Sequence, residues 1–130
     1  MLDEATLKDC LERFAEESAI VGVWILGSAV KERLLENSDV DFAILWEEGI
    51  DLDFRKVGAL ASDLEKRLGR RVDLGRLNTR NLIYAHEAIR TGKLIYCRTA
   101  GEADRFTEKV LALYFDLKRD RKVVEDAYCA

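Results

Sequence analysis

Apolar positions recur at two different spacings along the chain, and the switches between them divide it into elements. Leu7, Leu11 and Phe14 fall on one helical face, so an amphipathic helix is expected over roughly residues 3–18. Residues 20–27, IVGVWILG, are short, β-branched and apolar, as a buried strand is. The spacing of Val30 and Leu34 predicts a short helix from Ser28 to about Leu35. Residues 40–46, VDFAILW, form a second strand closed by Glu47-Glu48-Gly49. A helix over 53–68 follows, with Phe54, Val57, Ala61, Leu64 and Leu68 on one face and Gly69 where a C-terminal cap is wanted. A third strand covers 71–77 with Asp73 inside it, and a helix over 79–91 opens at Asn78 or Thr79 and closes at Gly92. Residues 93–97 give a fourth strand, and Phe106, Val110, Leu113 and Leu117 stripe a helix reaching about 120 or beyond. Alternating strands and helices predict an α/β layer, a sheet covered by helices.

Composition narrows the class. A chain of 130 residues, 48% hydrophobic and 35% charged, can bury a real core and is expected to form one domain over 1–130. A net charge of −4 argues against gripping nucleic acid as the main task. No apolar run is long enough to span a bilayer, and the acidic start MLDEATLKDC lacks the pattern of a secretory signal, so a cytoplasmic location is expected. Cys10, Cys97 and Cys129 are odd in number, widely spaced and without a CxxC pair, which suits reduced thiols and neither a disulfide frame nor a zinc site.

Chemistry concentrates between Val21 and Leu45. An apolar strand ends at Gly27-Ser28, where free backbone N–H groups and a hydroxyl suit a phosphate; Ser28 as a cap of the following helix is the alternative reading. A P-loop is excluded because no lysine follows Gly27 and the preceding residues are strand-like. Asp39 and Asp41 share one strand face by the period of two, and neighbouring carboxylates repel unless a cation lies between them. Ala43 and Ile44 stand where an EF-hand needs an oxygen ligand and a glycine, so that reading fails. Asp51-Leu52-Asp53 has the same spacing but precedes a helix, where capping accounts for it. Asp73, between Val72 and Leu74, is expected to be a buried carboxylate, costly unless paired with a cation or metal. If its strand lies beside 40–46, Asp39, Asp41 and Asp73 can surround two Mg²⁺ ions of the kind phosphoryl-type displacement uses. His86 lacks an HExxH partner and reads as structural. Arg67, Arg70, Arg71, Arg76 and Arg80 are either a phosphate or partner grip or a solvated basic edge, and the stripe of the last helix reads as core.

Gly27-Ser28, ten residues, Asp39-Val40-Asp41 and then Asp73 on a later strand resemble the minimal nucleotidyltransferases of the DNA polymerase β-like superfamily. The likeness covers nearly the whole chain. Its size, the strand KLIYCR and the closing segment RFTEKVLALYFDLK resemble the antitoxins of HEPN/MNT toxin–antitoxin pairs. The resemblance implies a nucleotidyltransferase core: a short mixed sheet of about four strands packed by about five helices. It implies transfer of AMP from ATP to a tyrosine of a HEPN-domain RNase toxin, with which the chain would form a hetero-oligomer. Gly27 and Ser28 would hold the β- and γ-phosphates, Asp39 and Asp41 would ligate both Mg²⁺ ions, and Asp73 would ligate the catalytic ion and favour deprotonation of the incoming hydroxyl. Where many members continue with Arg-Ala-Arg-Gly, this chain has Ala29-Val30-Lys31-Glu32. Lys31 replaces a bidentate arginine by a point charge, and Glu32 brings a negative charge towards the phosphates. Two rival expectations follow: an antitoxin that neutralises by binding alone, and a nucleotidyltransferase for a small hydroxylated molecule. Neither direct nucleic-acid binding nor a membrane enters any of these.

Overall fold

A computed structural model describes residues 3–27 and 39–129. Its element order is α1 (Glu4–Ala15), β1 (Ile20–Leu26), β2 (Val40–Trp46), α2 (Phe54–Leu68), β3 (Val72–Leu77), α3 (Leu82–Thr91), β4 (Lys93–Cys97) and α4 (Glu102–Cys129). All four expected strands are present within a residue of their sequence bounds. Four helices are found among the described residues, against about five expected, and the short helix anticipated over 28–35 lies outside them.

The sheet runs in the order β3-β2-β1-β4. β1 is antiparallel to both β2 and β4, whereas β2 and β3 are parallel. A parallel pair needs a crossover, and α2 supplies it. β1 and β2 are therefore central and almost wholly buried, and β3 and β4 form the edges.

Alternation along β2 separates two cores. Val40, Phe42, Ile44 and Trp46 face α1 and α2, meeting Cys10, Phe14, Leu60 and Leu64. Phe14 meets Phe42 edge to face at 5.3 Å. Ala43 and Leu45 face α3 and α4 instead, with Trp24, Ala85, Ala88 and Val110. A bulge in β1 between Ile20 and Gly22 lets Ile20 and Val23 enter the same core although three positions apart.

Polar side chains fix the outer layer. Arg13 Nε donates to Asp63 Oδ2 at 2.6 Å, and Arg67 Nη1 donates to the Asp9 carbonyl and carboxylate at 2.9 Å, joining α1 to α2. Arg98, just after β4, donates a fork to Glu102 at 2.9 Å through Nε and Nη2, and its Nη1 donates to the Ser18 carbonyl at 2.9 Å. This pairing and the Thr99 hydroxyl hold the Glu102 carboxyl down at about 2.

Capping follows the sequence in part. Asp53 caps α2 as its position suggests and Gly69 closes it in the left-handed conformation, while Asp3, at the start of the expected helix over 3–18, is the cap of α1. α3 begins at Leu82, later than expected, because Asn81 and not Asn78 or Thr79 is its cap. Asn78 Oδ1 instead accepts from the backbone of Arg80 and Asn81, closing a separate turn before the helix. Phe106 and Val110 of α4 reach the core as expected, but Leu113 is exposed.

Gly92 ends α3 with an ordinary extended backbone, and it is required for space. A Cβ there would run into Leu26 Cδ2 and stand 2.5 Å from the Ala88 carbonyl oxygen and 3.1 Å from that of Ile25. Gly92→Ala is therefore expected to lower stability by about 2 kcal/mol in urea denaturation through overpacking against backbone. An unchanged midpoint would contradict this packing.

Candidate active site

The parallel register of β2 and β3 sets Asp41 opposite Asp73, with Ala43 opposite Gly75 two residues further on. Since Ala43 belongs to the core under α3 and α4, alternation puts both carboxylates on that face of the sheet. On the other side of β2, Asp41 pairs with Leu26, the last residue of β1. Gly27 then turns away with φ of +70°, a conformation that favours glycine, and a Cβ there would stand 3.7 Å from Asp41 Oδ2. The end of β1, the start of β2 and the start of β3 thus converge on Asp41. Leu26, Asp41, Asp73 and Gly75, with Tyr84 of α3, border a cavity of about 300 Å³.

Of the sequence-predicted residues, Gly27, Asp41 and Asp73 are brought together. Asp39 stands one residue before β2, exposed, and near enough for its charge to act on Asp41. Ser28 and Lys31 lie outside the described residues. One premise needs correcting: Asp73 is exposed rather than buried, because β3 is an edge strand. Asp41 is the partly buried member of the pair. Burial first, then the charge of Asp73 alongside and that of Asp39, push its carboxyl above the ordinary range. Ion pairs among the described residues all lie elsewhere.

Oxygen donors from strands one step apart suit a hard divalent cation, and a cation beside Asp41 would reverse the upward displacement of its carboxyl. Among the described residues no three His, Cys, Asp or Glu side chains are gathered tightly enough to hold a metal ion. The carboxylates therefore form a pair with a third charge nearby. Like charges resist closer approach, and drawing all three onto one point requires positive charge between them.

The remaining candidates sort differently. His86 stacks flat on Tyr114 at 3.6 Å, joining α3 to α4, which fits its structural reading. The arginines do not act together: Arg67 is engaged between α1 and α2, whereas Arg76 and Arg80 line a separate cleft of about 520 Å³ with Trp46, Glu48, Asp51 and Phe106. That cleft lies at the far ends of β2 and β3 and contains none of the three aspartates. The Cys10 thiol is buried and raised to about 11 by desolvation, Asp9 adding to the effect, which keeps it an inert core residue. Sequence reasoning missed Tyr84 at the cavity. The available signal was Gly75 in the middle of a strand, a position that marks close approach by another group.

A mixed four-stranded sheet, with carboxylates opposed across its parallel pair and a glycine turn beside them, has the form of a nucleotidyltransferase core. Residues 8–100 match the family described as polymerase beta, nucleotidyltransferase, and the chain belongs to that family. It is similar to protein adenylyltransferase MntA of Aphanizomenon flos-aquae (strain 2012/KM1/D3), at 27% identity over 75% of this chain and 71% of that protein. Among solved structures it superimposes on a chain of a toxin–antitoxin complex with AMP-PNP, at a TM-score of 0.74 and 24% identity. That match covers 99% of this chain and 100% of the other. The complex of a tri-AMPylated Shewanella oneidensis HEPN toxin with an MNT antitoxin gives 0.73 at 20% identity, again over 99% and 100%. These structural likenesses are of fold, and they include α4, which extends past the family match.

Because the folded chain holds the Asp41 proton more tightly than the unfolded chain does, stability falls as pH rises from the ordinary carboxylate value through the raised one. Asp41→Asn is accordingly expected to melt higher than the unsubstituted chain at pH 7 in the absence of divalent cations. The gain should shrink as pH approaches the ordinary carboxylate value of 3.8. Thermal denaturation across that range checks it, and a lower melting temperature for the variant at pH 7 would be the contrary result.

Proposed function

We propose that this chain is an antitoxin that transfers AMP from ATP to a tyrosine hydroxyl of a cognate HEPN-type toxin in the cytoplasm. The observation that carries the proposal is the register that sets Asp41 against Asp73 beside the Gly27 turn, in a chain of the nucleotidyltransferase family. Similarity to a protein adenylyltransferase, and a fold shared with toxin–antitoxin complexes, one with AMP-PNP and one with an AMPylated toxin, support the choice of donor and acceptor. Among the described residues no helix is long and apolar enough to cross a membrane.

Asp39, Asp41 and Asp73 would hold Mg²⁺, which supplies charge neutralisation at the phosphates and activates the incoming oxygen. The Gly27 turn leaves room for the nucleotide's phosphates beside Asp41, with Ser28 and Lys31 as further contacts. The acceptor hydroxyl, approaching from the open edge at β3, gives its proton towards Asp73 and attacks the α-phosphorus. The new O–P bond forms as the α–β anhydride bond breaks, and pyrophosphate leaves. Exposure of Asp73 is what a protein substrate needs, because a buried base could not be reached by a side chain of another molecule. The chain's own contribution is positioning and charge, as in phosphoryl transfer generally.

Incubation of the chain with ATP, Mg²⁺ and its cognate HEPN protein should raise the partner's intact mass by one or more AMP units. Asp41→Asn should reduce the rate by at least about 10³-fold while leaving the complex intact. A stable complex with no mass gain from the unsubstituted chain would replace transfer by neutralisation through binding alone.

A further inference from the structure

Gly75 is side-chainless in mid-strand because Tyr84 occupies the space a side chain would need. A Cβ at Gly75 would run into Tyr84 Oη and lie 2.8 Å from Cζ. Gly75 is two residues from Asp73 on the same strand face, about 6.6 Å along the strand. It pairs with Ala43 as Asp73 pairs with Asp41, so two small residues leave a trough immediately beside the two carboxylates. The Tyr84 ring, held in the first turn of α3 by Leu82 and its neighbours in the second core, lies across that trough.

Tyr84 lines the same cavity as Asp41 and Asp73. No described residue hydrogen-bonds to it, and no buried side-chain oxygen or nitrogen among the described residues is left without a partner. The hydroxyl is therefore not sealed in the core. A phenol keeps its proton at neutral pH, so the hydroxyl is available as a donor. Among the described residues lining the cavity it is the one hydroxyl, and it stands beside carboxyl groups whose carboxylate form only accepts. A phosphoryl group offers acceptors alone, and a phenol donor complements it where carboxylates cannot.

We propose that Tyr84 is a nucleotide-binding residue of this site, its phenol donating a hydrogen bond to a phosphoryl oxygen of the nucleotide held over Asp41 and Asp73. This rests on the nucleotidyl-transfer reading above and adds a residue to it. Gly75 is the device that admits the ring, and α3 the element that aims it.

Tyr84→Phe removes the oxygen and keeps the ring over Gly75. Affinity for ATP with Mg²⁺ by calorimetry should fall about 10-fold, the size of one hydrogen bond to a charged acceptor, with the melting temperature unchanged. In the transfer assay KM for ATP should rise while kcat changes little, the signature of a contact made equally in ground and transition states. If the unsubstituted chain binds ATP and Tyr84→Phe binds it equally well, the role of Tyr84 is overturned and the transfer reading stands. If the unsubstituted chain binds no ATP in the presence of Mg²⁺, both are overturned together.

Discussion

The site depends on one constraint, the parallel pairing of β2 with β3 in a register that sets Asp41 opposite Asp73. Parallel strands cannot be joined by a tight turn, so the chain must cross over through α2 before it can place the second carboxylate. Side chains in a strand alternate, and a slip of one residue would send Asp73 to the opposite face, among Phe42 and Ile44. The apolar pattern forbids that slip. Val72 has to reach the core with Val40 and Phe42, and this fixes Asp73 on the side of Asp41. The energy of hydrophobic burial thus specifies the position of two charges that, by themselves, repel.

The same alternation accounts for the division of labour between the two faces. α1 and α2 cover one face with large side chains, Phe14, Leu60 and Leu64, and are tied to each other by arginine–carboxylate contacts. α3 and α4 cover the other with alanines at their closest points, Ala85, Ala88 and Ala103. Small residues let these helices approach the sheet. On this face Tyr84 of α3 borders the cavity that holds Asp41 and Asp73. Arg98 fixes the far end of β4 to the start of α4 and to the turn after α1, so this edge strand is held from both sides of the sheet.

Much of this was legible in the residues. The strands are visible because each is a short apolar run bounded by charges or glycine, and Asp53 and Gly69 mark the ends of α2 by capping chemistry. The Asp39–Asp41 pair and the glycine turn were visible as motif. Strand order was not, since pairing is decided by packing across the whole sheet, and the exposure of Asp73 follows from that order. An interior strand would have buried it, and the edge position leaves it open to an incoming group. The late start of α3 was hidden because Asn78, Thr79 and Asn81 are all competent caps, and the turn closed by Asn78 decides among them. Tyr84 was hidden for a related reason. Within LIYAHEAIR it looks like one more apolar position, and its meaning lies in Gly75, a residue on another element.

The opposition of Asp41 and Asp73 is the claim on which the functional account rests, and binding of a divalent cation tests it most directly. Calorimetric titration of Mn²⁺, as a stand-in for Mg²⁺, into the chain with a non-transferable ATP analogue should show binding that Asp73→Asn and Asp41→Asn each weaken severely. Equal binding by the unsubstituted chain and by Asp73→Asn would mean that the two strands do not build one site, and would contradict the account.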